Sequence, residues 1–308
     1  MIALLLAKKI AELFCYLLIG FVMVRLRILK GEDTVPLSKL SLYLVNPCAI
    51  FHSFQIEATS DVLKGFVAAF VTAIILQMLF TLMAALYRRI THVALIDEAM
   101  IIYPNVGNLT IPLVASVLGA EWVVYVSAYI IVFNVMIWSR GIRMFTDDPS
   151  YRRPAKVLLN PNILACAAGA VCMLAGVRLG GIPQTVIATG ASFVGPLTML
   201  ITGMVLATLS IKELFANRAV FGTILMRMVV CPLAVLPLLR AVSRLRPLPQ
   251  ANTLFMIVLL SAAGPAANMI SQFAVLFDHD AKHASVVSTT TTLLCIATLP
   301  LMVYLYGL

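Results

Sequence analysis

The feature that most constrains this chain is a series of long apolar stretches without Asp, Glu, Lys or Arg. Eight occur, at 40–56, 66–87, 99–120, 122–139, 157–177, 179–211, 247–277 and 283–308. A helix that spans a bilayer needs about 20 mainly apolar residues. Only 11% of the 308 residues are charged, against roughly a quarter in soluble domains. The chain is therefore predicted to be a membrane protein.

Two further apolar stretches carry a few interior charges. The stretch 2–24 has three in its first half, and 219–239 contains Arg227. The first has no small-residue cleavage site after it, so it is interpreted as a span and not as a signal peptide. The prediction is an all-α polytopic membrane protein with ten transmembrane helices.

The net charge of +9 is interpreted as a topology signal and not as a nucleic-acid surface, because cytoplasmic connections are enriched in Lys and Arg. Of the 22 basic residues, fourteen fall on the side opposite the N-terminus and seven on the same side. We therefore expect an inner-membrane protein with both termini on the outer, periplasmic side.

The most charged connection runs from Arg140 to Lys156 and divides the ten predicted spans into five and five. The predicted units are a first repeat at 1–145, a cytoplasmic connection at 146–156 and a second repeat at 157–308. Because five is odd, equal halves would enter the membrane from opposite sides, as in the inverted repeats of many secondary transporters.

Both predicted fourth spans are interrupted by proline, glycine and asparagine. Residues 103–108 read Tyr-Pro-Asn-Val-Gly-Asn, and residues 263–268 read Ala-Gly-Pro-Ala-Ala-Asn. Such breaks free backbone polar groups, which persist in lipid only beside protein or a water-filled cavity. The half-helix ends attract anions, and asparagine adds neutral donors. The pair predicts one shared binding site, whereas Pro47 and Pro196 alone are interpreted as kinks.

At these residues the chain resembles the auxin efflux carrier family of membrane transporters. Tyr103–Asn105 followed by Ile111–Leu113 is similar to the family's fourth span, Asn46–Pro47 with Phe51–His52 to its second, and Ser285–Pro300 to its last. The resemblance covers essentially the whole chain. The short connection between the halves is typical of a bacterial-type member and not of the plant carriers.

The resemblance implies two inverted five-helix repeats whose broken helices 4 and 9 cross, as in sodium/proton antiporters and bile-acid symporters. It also implies elevator-type transport of a small organic anion, a mono- or dicarboxylate such as malonate or malate. By position, Asn105 and Asn268 would bind a carboxylate at a crossover shaped by Pro104 and Pro265. The further candidate site residues are Asn46, His52, Asn108, Thr110, Gly264 and Gln272.

The scarcity of acidic residues bears on coupling. No Asp or Glu occurs in 99–120 or 247–277, so efflux by uniport or proton coupling is favoured over a sodium-coupled symporter. Asp97 and Glu98 before the fourth span, and Asp278 and Asp280 after the ninth, are interpreted as solvated helix ends. A non-transporting sensor is the more distant alternative. An enzyme is not expected, because the central spans lack acidic residues and the chain lacks a GxSxG motif.

Other polar residues are given structural interpretations. Arg227 is expected to snorkel to the cytoplasmic interface, with pairing to an anion or acid as the alternative. His52 is either a proton relay or a hydrogen-bonded interior histidine. Asn134 is expected to form an interhelical hydrogen bond, and the Thr289–Thr292 run to allow close packing. His279 and His283 are spaced to lie on one helical face, but two histidines alone are weak evidence for a metal site. We expect no metal or cofactor. The expected partners are the lipid bilayer, the anion and a second copy of the chain bound through scaffold helices.

Overall fold

A computed structural model describes residues 2–148, 158–208, 218–245 and 250–307. In this part of the chain the α-helices, numbered in chain order, are α1 (Ile2–Arg25), α2 (Thr34–Leu40), α3 (Asn46–Ser53), α4 (Ser60–Thr91), α5 (Leu95–Ile102), α6 (Ile111–Val117), α7 (Val123–Met136), α8 (Pro161–Leu174), α9 (Gly181–Ser192), α10 (Val194–Thr208), α11 (Arg218–Leu225), α12 (Cys231–Leu245), α13 (Ala251–Ala262), α14 (Asn268–Leu276) and α15 (Ala281–Gly307). Most of the predicted connection 146–156 lies outside the described residues.

Local sequence explains where the long helix α4 begins and ends. The Thr59 side chain accepts a hydrogen bond from the Val62 N–H at the N-terminus, and His92 adopts a left-handed conformation just after the last turn. These are standard helix-capping arrangements. Between the ends, one face is buried and the other exposes large apolar side chains at helical spacing, namely Val67, Val71, Ile75, Met78, Leu82 and Leu86. An apolar exposed face of this length fits contact with lipid.

Helix in the described residues overlaps each of the ten predicted spans. Four helical stretches are long and apolar enough to cross a membrane by length and composition: Ser60–Thr91, Ala120–Gly141, Gly181–Thr208 and Val220–Arg244. A fifth qualifies if the bent stretch from Ala281 to Gly307 is one span. The all-helical membrane fold is thus established, whereas the number of crossings and the inversion of the halves stay predictions.

The helices form two groups by their contacts. In the first group, α1 packs along α10, and α3 packs against α8 and α9. Glycines allow α1 and α10 to approach closely. A Cβ at Gly20 would collide with the Leu200 carbonyl oxygen, and one at Gly203 with that of Leu17. In the second group, α4 packs on α5, α7 and α13, while α15 packs on α11, α12, α13 and α14. Helix α6 contacts both groups, and α1 of the first group also packs on α15 of the second.

Candidate functional site

The two interrupted segments predicted from the sequence pair directly with each other. The Asn105 N–H donates to the Pro265 carbonyl at 2.7 Å, and the Ala267 N–H donates to the Tyr103 carbonyl at 2.9 Å. These bonds form a short antiparallel bridge, the one extended pairing in the described residues. Backbone groups freed by the two breaks therefore satisfy each other in the interior of the protein.

Local sequence sets the geometry of each break. Tyr103 is extended, with φ −103° and ψ 107°, as expected for a residue before proline. Helix resumes at Val106 with a π-helical turn that leads into α6. In the second break, α13 ends at Ala262 and α14 begins at Asn268. Each break therefore places a helix C-terminus and a helix N-terminus close to the bridge.

Arg227 binds backbone carbonyl groups at both breaks. Its side chain is fully buried. Its guanidinium donates to the Gly264 carbonyl from Nε at 3.0 Å and from Nη2 at 2.8 Å, to the Ile101 carbonyl from Nη1 at 3.0 Å, and to the Ala262 carbonyl. The expectation that Arg227 snorkels to the interface is wrong, because the carbonyls at two helix ends provide acceptors that lipid does not.

Hydroxyl groups of α15 support the second break. The Ala266 N–H donates to Thr291 Oγ1 at 3.1 Å, and Ser288 Oγ donates to the Ala266 carbonyl at 3.2 Å. The single hydroxyl hydrogen of Ser288 is shared between this carbonyl and Asn268 Oδ1. The Thr289–Thr292 run thus does more than allow close packing, since Thr291 is a direct acceptor for the broken backbone.

The first break has support from α4 and α7. Gln77 Nε2 donates to the Ile102 carbonyl at 3.0 Å, and the Tyr103 hydroxyl donates to the Met136 carbonyl at 3.3 Å. The Asn105 side chain, in contrast, forms no hydrogen bond with another described residue. It is half-buried and faces the cavity described next.

A cavity of about 520 Å³ lies beside the paired breaks. Six side-chain amides line it: those of Asn46, Asn105, Asn134, Asn162, Asn268 and Gln272. Serine and threonine hydroxyls add to this polar wall, among them Ser41, Thr198, Thr202, Ser271, Ser288 and Thr289. Among the described lining residues there is no Asp, Glu or Arg, and Lys39 is the one charged side chain. Neutral donors and a single cation suit a polar or anionic ligand.

The structure brings only part of the predicted site together. Asn46, Asn105, Asn268 and Gln272 line the cavity. Pro104, Pro265 and Gly264 contribute backbone to the breaks. Thr110 is buried just before α6 and His52 is half-buried on α3, and neither lines the cavity. The side chain of Asn108 lies outside the described part.

Two lining asparagines were not predicted for the site. Asn134 Nδ2 donates to the Ile130 carbonyl of its own helix at 2.9 Å, so the expected interhelical bond is wrong. Asn134 Oδ1 and Asn162 Oδ1 are buried without a hydrogen-bond partner in the described chain. A polar residue within an apolar span, as at Asn134, is the sequence signal for such a role.

The acidic residues before the first break are not solvated, and this expectation is wrong. Asp97 and Glu98 have relative exposures of 1% and 4%. Asp97 Oδ1 accepts from Thr223 Oγ1 and from His283 Nε2, both at 2.7 Å. Glu98 forms ion pairs with the guanidinium groups of Arg88 and Arg140, at 3.0 and 3.3 Å. These partners compensate the cost of burying the carboxylates.

The carboxylates after the second break differ from those before the first. Asp278 and Asp280 are exposed, as expected of solvated helix ends. His279 Nε2 hydrogen-bonds to the Phe145 carbonyl at 3.2 Å, whereas His283 contacts Asp97. The two histidines thus have different partners, which does not favour a shared metal ion.

Paired broken helices beside a polar cavity, in an all-helical apolar chain, are typical of membrane transport proteins. A family model described as "Membrane transport protein" matches residues 5–156 and 152–303. The chain belongs to this family, that of the auxin efflux carriers, which confirms the resemblance seen in its motifs. It is a transporter family and not a family of enzymes. The comparison with curated proteins gives no significant match.

Proposed function

We propose that the protein moves a small organic anion, a mono- or dicarboxylate such as malonate or malate, across the inner membrane. The observation that carries this proposal is the pairing of two helix breaks beside a cavity lined by amides and hydroxyls. Among the described residues no acidic side chain lines that cavity to repel a carboxylate.

The breaks offer donors that can replace the water around a carboxylate. Ser288 holds Asn268 through its Oδ1, which leaves Nδ2 as a donor at the cavity wall. Asn268 is also the first residue of α14, where backbone N–H groups lack partners within the helix. Asn105 offers a second amide, and Lys39 a positive charge at the cavity's other wall. Hydrogen bonds to a charged group are each worth about 1.5–3 kcal/mol.

An elevator movement fits the position of the cavity. Its walls come from both helix groups, with Asn46 and Thr198 from the first and Asn105 and Asn268 from the second. If the second group slides along the first, the bound anion is carried to the other side. The two consecutive family matches support two repeats, and we propose that they are inverted.

The membrane potential would drive efflux without a coupling ion. Each negative charge that leaves a cytoplasm with a negative potential gains about 2.3 kcal/mol per 100 mV. We therefore propose export by uniport or with a proton, with both termini on the periplasmic side.

Flux through proteoliposomes tests this function. Purified protein is reconstituted, loaded with labelled malonate or malate, and given a defined potential with potassium and valinomycin, with and without sodium. Potential-driven efflux in the absence of sodium is the expected result. Strict dependence on sodium would favour a symporter, and malonate or malate binding without flux would favour a sensor. Absence of both binding and flux with a panel of mono- and dicarboxylates would refute the proposal.

A further inference from the structure

Broken helices alone do not explain why this site would prefer an anion. Each break brings a helix C-terminus, with about −0.5 elementary charge, and a helix N-terminus, with about +0.5, to the same place. Here α5 and α13 contribute the negative ends, while α14 and the helical segment that starts at Val106 contribute the positive ends. The four partial charges sum to about zero, so a further charge must decide the preference.

Arg227 supplies that charge, and it contacts only the C-terminal helix ends of the two breaks. Its three acceptors are carbonyls at the C-terminal ends: Ile101 in the last turn of α5, Ala262 at the end of α13 and Gly264 just beyond it. No carboxylate in the described chain pairs with Arg227, and its guanidinium carbon lies 5.1 Å from the centroid of the Phe80 ring. A guanidinium keeps its charge in proteins. One full positive charge therefore cancels the two negative helix ends.

In the described part of the chain, neither positive helix end has an acidic side chain in its first turn. Asn268 begins α14, and Asn105 precedes the helix that follows the first break; both are neutral and line the cavity. None of the described lining residues is acidic. The net charge of the two paired breaks, not counting Lys39 on the opposite wall of the cavity, is thus close to +1, and one carboxylate would balance it.

We propose that Arg227 is a positioning residue that sets the charge selectivity of the site without touching the substrate. Its buried charge neutralises the C-terminal helix ends, and a substrate carboxylate then completes the balance at the N-terminal ends. This inference rests on the proposed function, and it adds the reason that an anion is selected over a neutral analogue. In a purely structural role, Arg227 would only link the two breaks through its hydrogen bonds and would not affect which ligand is bound.

Two variants separate charge from hydrogen bonding. Arg227→Lys keeps the charge and loses most of the hydrogen bonds, whereas Arg227→Gln keeps a donor and loses the charge. The measurement is the ratio of affinities for malonate and for its neutral analogue malonamide, from inhibition of labelled malonate counterflow. We expect Arg227→Lys to keep the wild-type ratio and Arg227→Gln to reduce it at least about tenfold, or about 1.4 kcal/mol.

The control is Arg240→Gln on α12, which lies away from the breaks and donates to the Tyr306 carbonyl. It should leave the ratio unchanged. A wild-type ratio in Arg227→Gln, or equal losses in the Lys and Gln variants, would overturn the charge role. A wild type that neither binds nor moves any carboxylate would instead refute the proposed function.

A second test leaves Arg227 in place, in case its variants do not fold. Asn268→Asp puts a carboxylate at the first residue of α14, where the substrate's charge would otherwise sit. We expect the ligand-free variant to melt at a higher temperature than wild type and to show no thermal shift with malonate. Asn268→Ala should also lose the shift but melt no higher than wild type. An Asp variant that is no more stable than the Ala variant would overturn the inference.

Discussion

Each break contains a proline and an asparagine, adjacent in the first break and three residues apart in the second, yet the protein holds the two breaks differently. At the second break, hydroxyls of Ser288 and Thr291 bind the N–H and carbonyl of Ala266, and Ser288 also fixes the Asn268 amide. At the first, neighbouring helices bind carbonyls upstream, and the Asn105 side chain has no hydrogen bond to another described residue. The site therefore combines one preorganised amide with one that adapts to the ligand.

The largest expected effect tests this difference directly. Asn268→Ala should weaken malonate binding about 100-fold, because it removes an oriented donor to a charged group worth up to about 3 kcal/mol. Asn105→Ala should weaken it about tenfold, since ordering a free side chain costs about 0.5–1.5 kcal/mol and offsets part of its hydrogen bond. Calorimetric titration of the purified variants measures both. Equal losses would contradict the contrast between the breaks, and no loss in either would remove the breaks from the mechanism.

The next effect concerns the backbone of the second break. Thr291→Val keeps the side-chain shape but leaves the buried Ala266 N–H without its acceptor, which should cost about 1–3 kcal/mol of stability. Thr292→Val is the matched control, because its hydroxyl bonds to the Ser288 carbonyl of its own helix and, in the described chain, to no residue across the break. The midpoints of thermal unfolding in detergent compare the two. A control that loses as much as Thr291→Val would show that the contact across the break is unimportant.

Sequence reasoning found the helices and the breaks because both depend on local chemistry. Charge-free stretches mark apolar helices, and Pro104 and Pro265 remove backbone donors wherever they occur. The support of the breaks could not be found in this way. The acceptor for the Ala266 N–H is 25 residues away, and the Ile101 carbonyl is 126 residues from Arg227. A partner at such a distance has no local pattern.

The misjudged charges have the same origin. Asp97 lies near the end of an apolar stretch, which is typical of a solvated residue, but its partners Thr223 and His283 come from distant helices. Arg227 binds backbone carbonyls, which no sequence motif identifies. One signal was available in principle: two predicted breaks leave two helix C-termini in need of a cation, and Arg227 is the one basic residue inside a central span.

A smaller effect is expected from the serine that orients Asn268. Ser288→Ala should reduce malonate affinity about threefold to tenfold, because the Asn268 amide remains but is no longer held, and reorienting it costs about 1 kcal/mol. Ser261→Ala is the control, since this buried hydroxyl on α13 donates to the Ile257 carbonyl of its own helix and has no other hydrogen bond within the described chain. Wild-type affinity in Ser288→Ala would show that Asn268 needs no support, and the two breaks would then be equivalent.

The smallest effect should come from the support of the first break. Gln77 Nε2 bonds to the Ile102 carbonyl, while Gln77 Oε1 is buried without a partner in the described chain. Gln77→Leu therefore removes one hydrogen bond and one unsatisfied oxygen together. The Ile102 carbonyl that loses its donor lies next to the Ile101 carbonyl, where Arg227 neutralises the negative helix end. We expect less than about 1 kcal/mol of destabilisation and unchanged malonate affinity, by thermal unfolding and calorimetry. A loss as large as that of Thr291→Val would mean that the first break is held as firmly as the second.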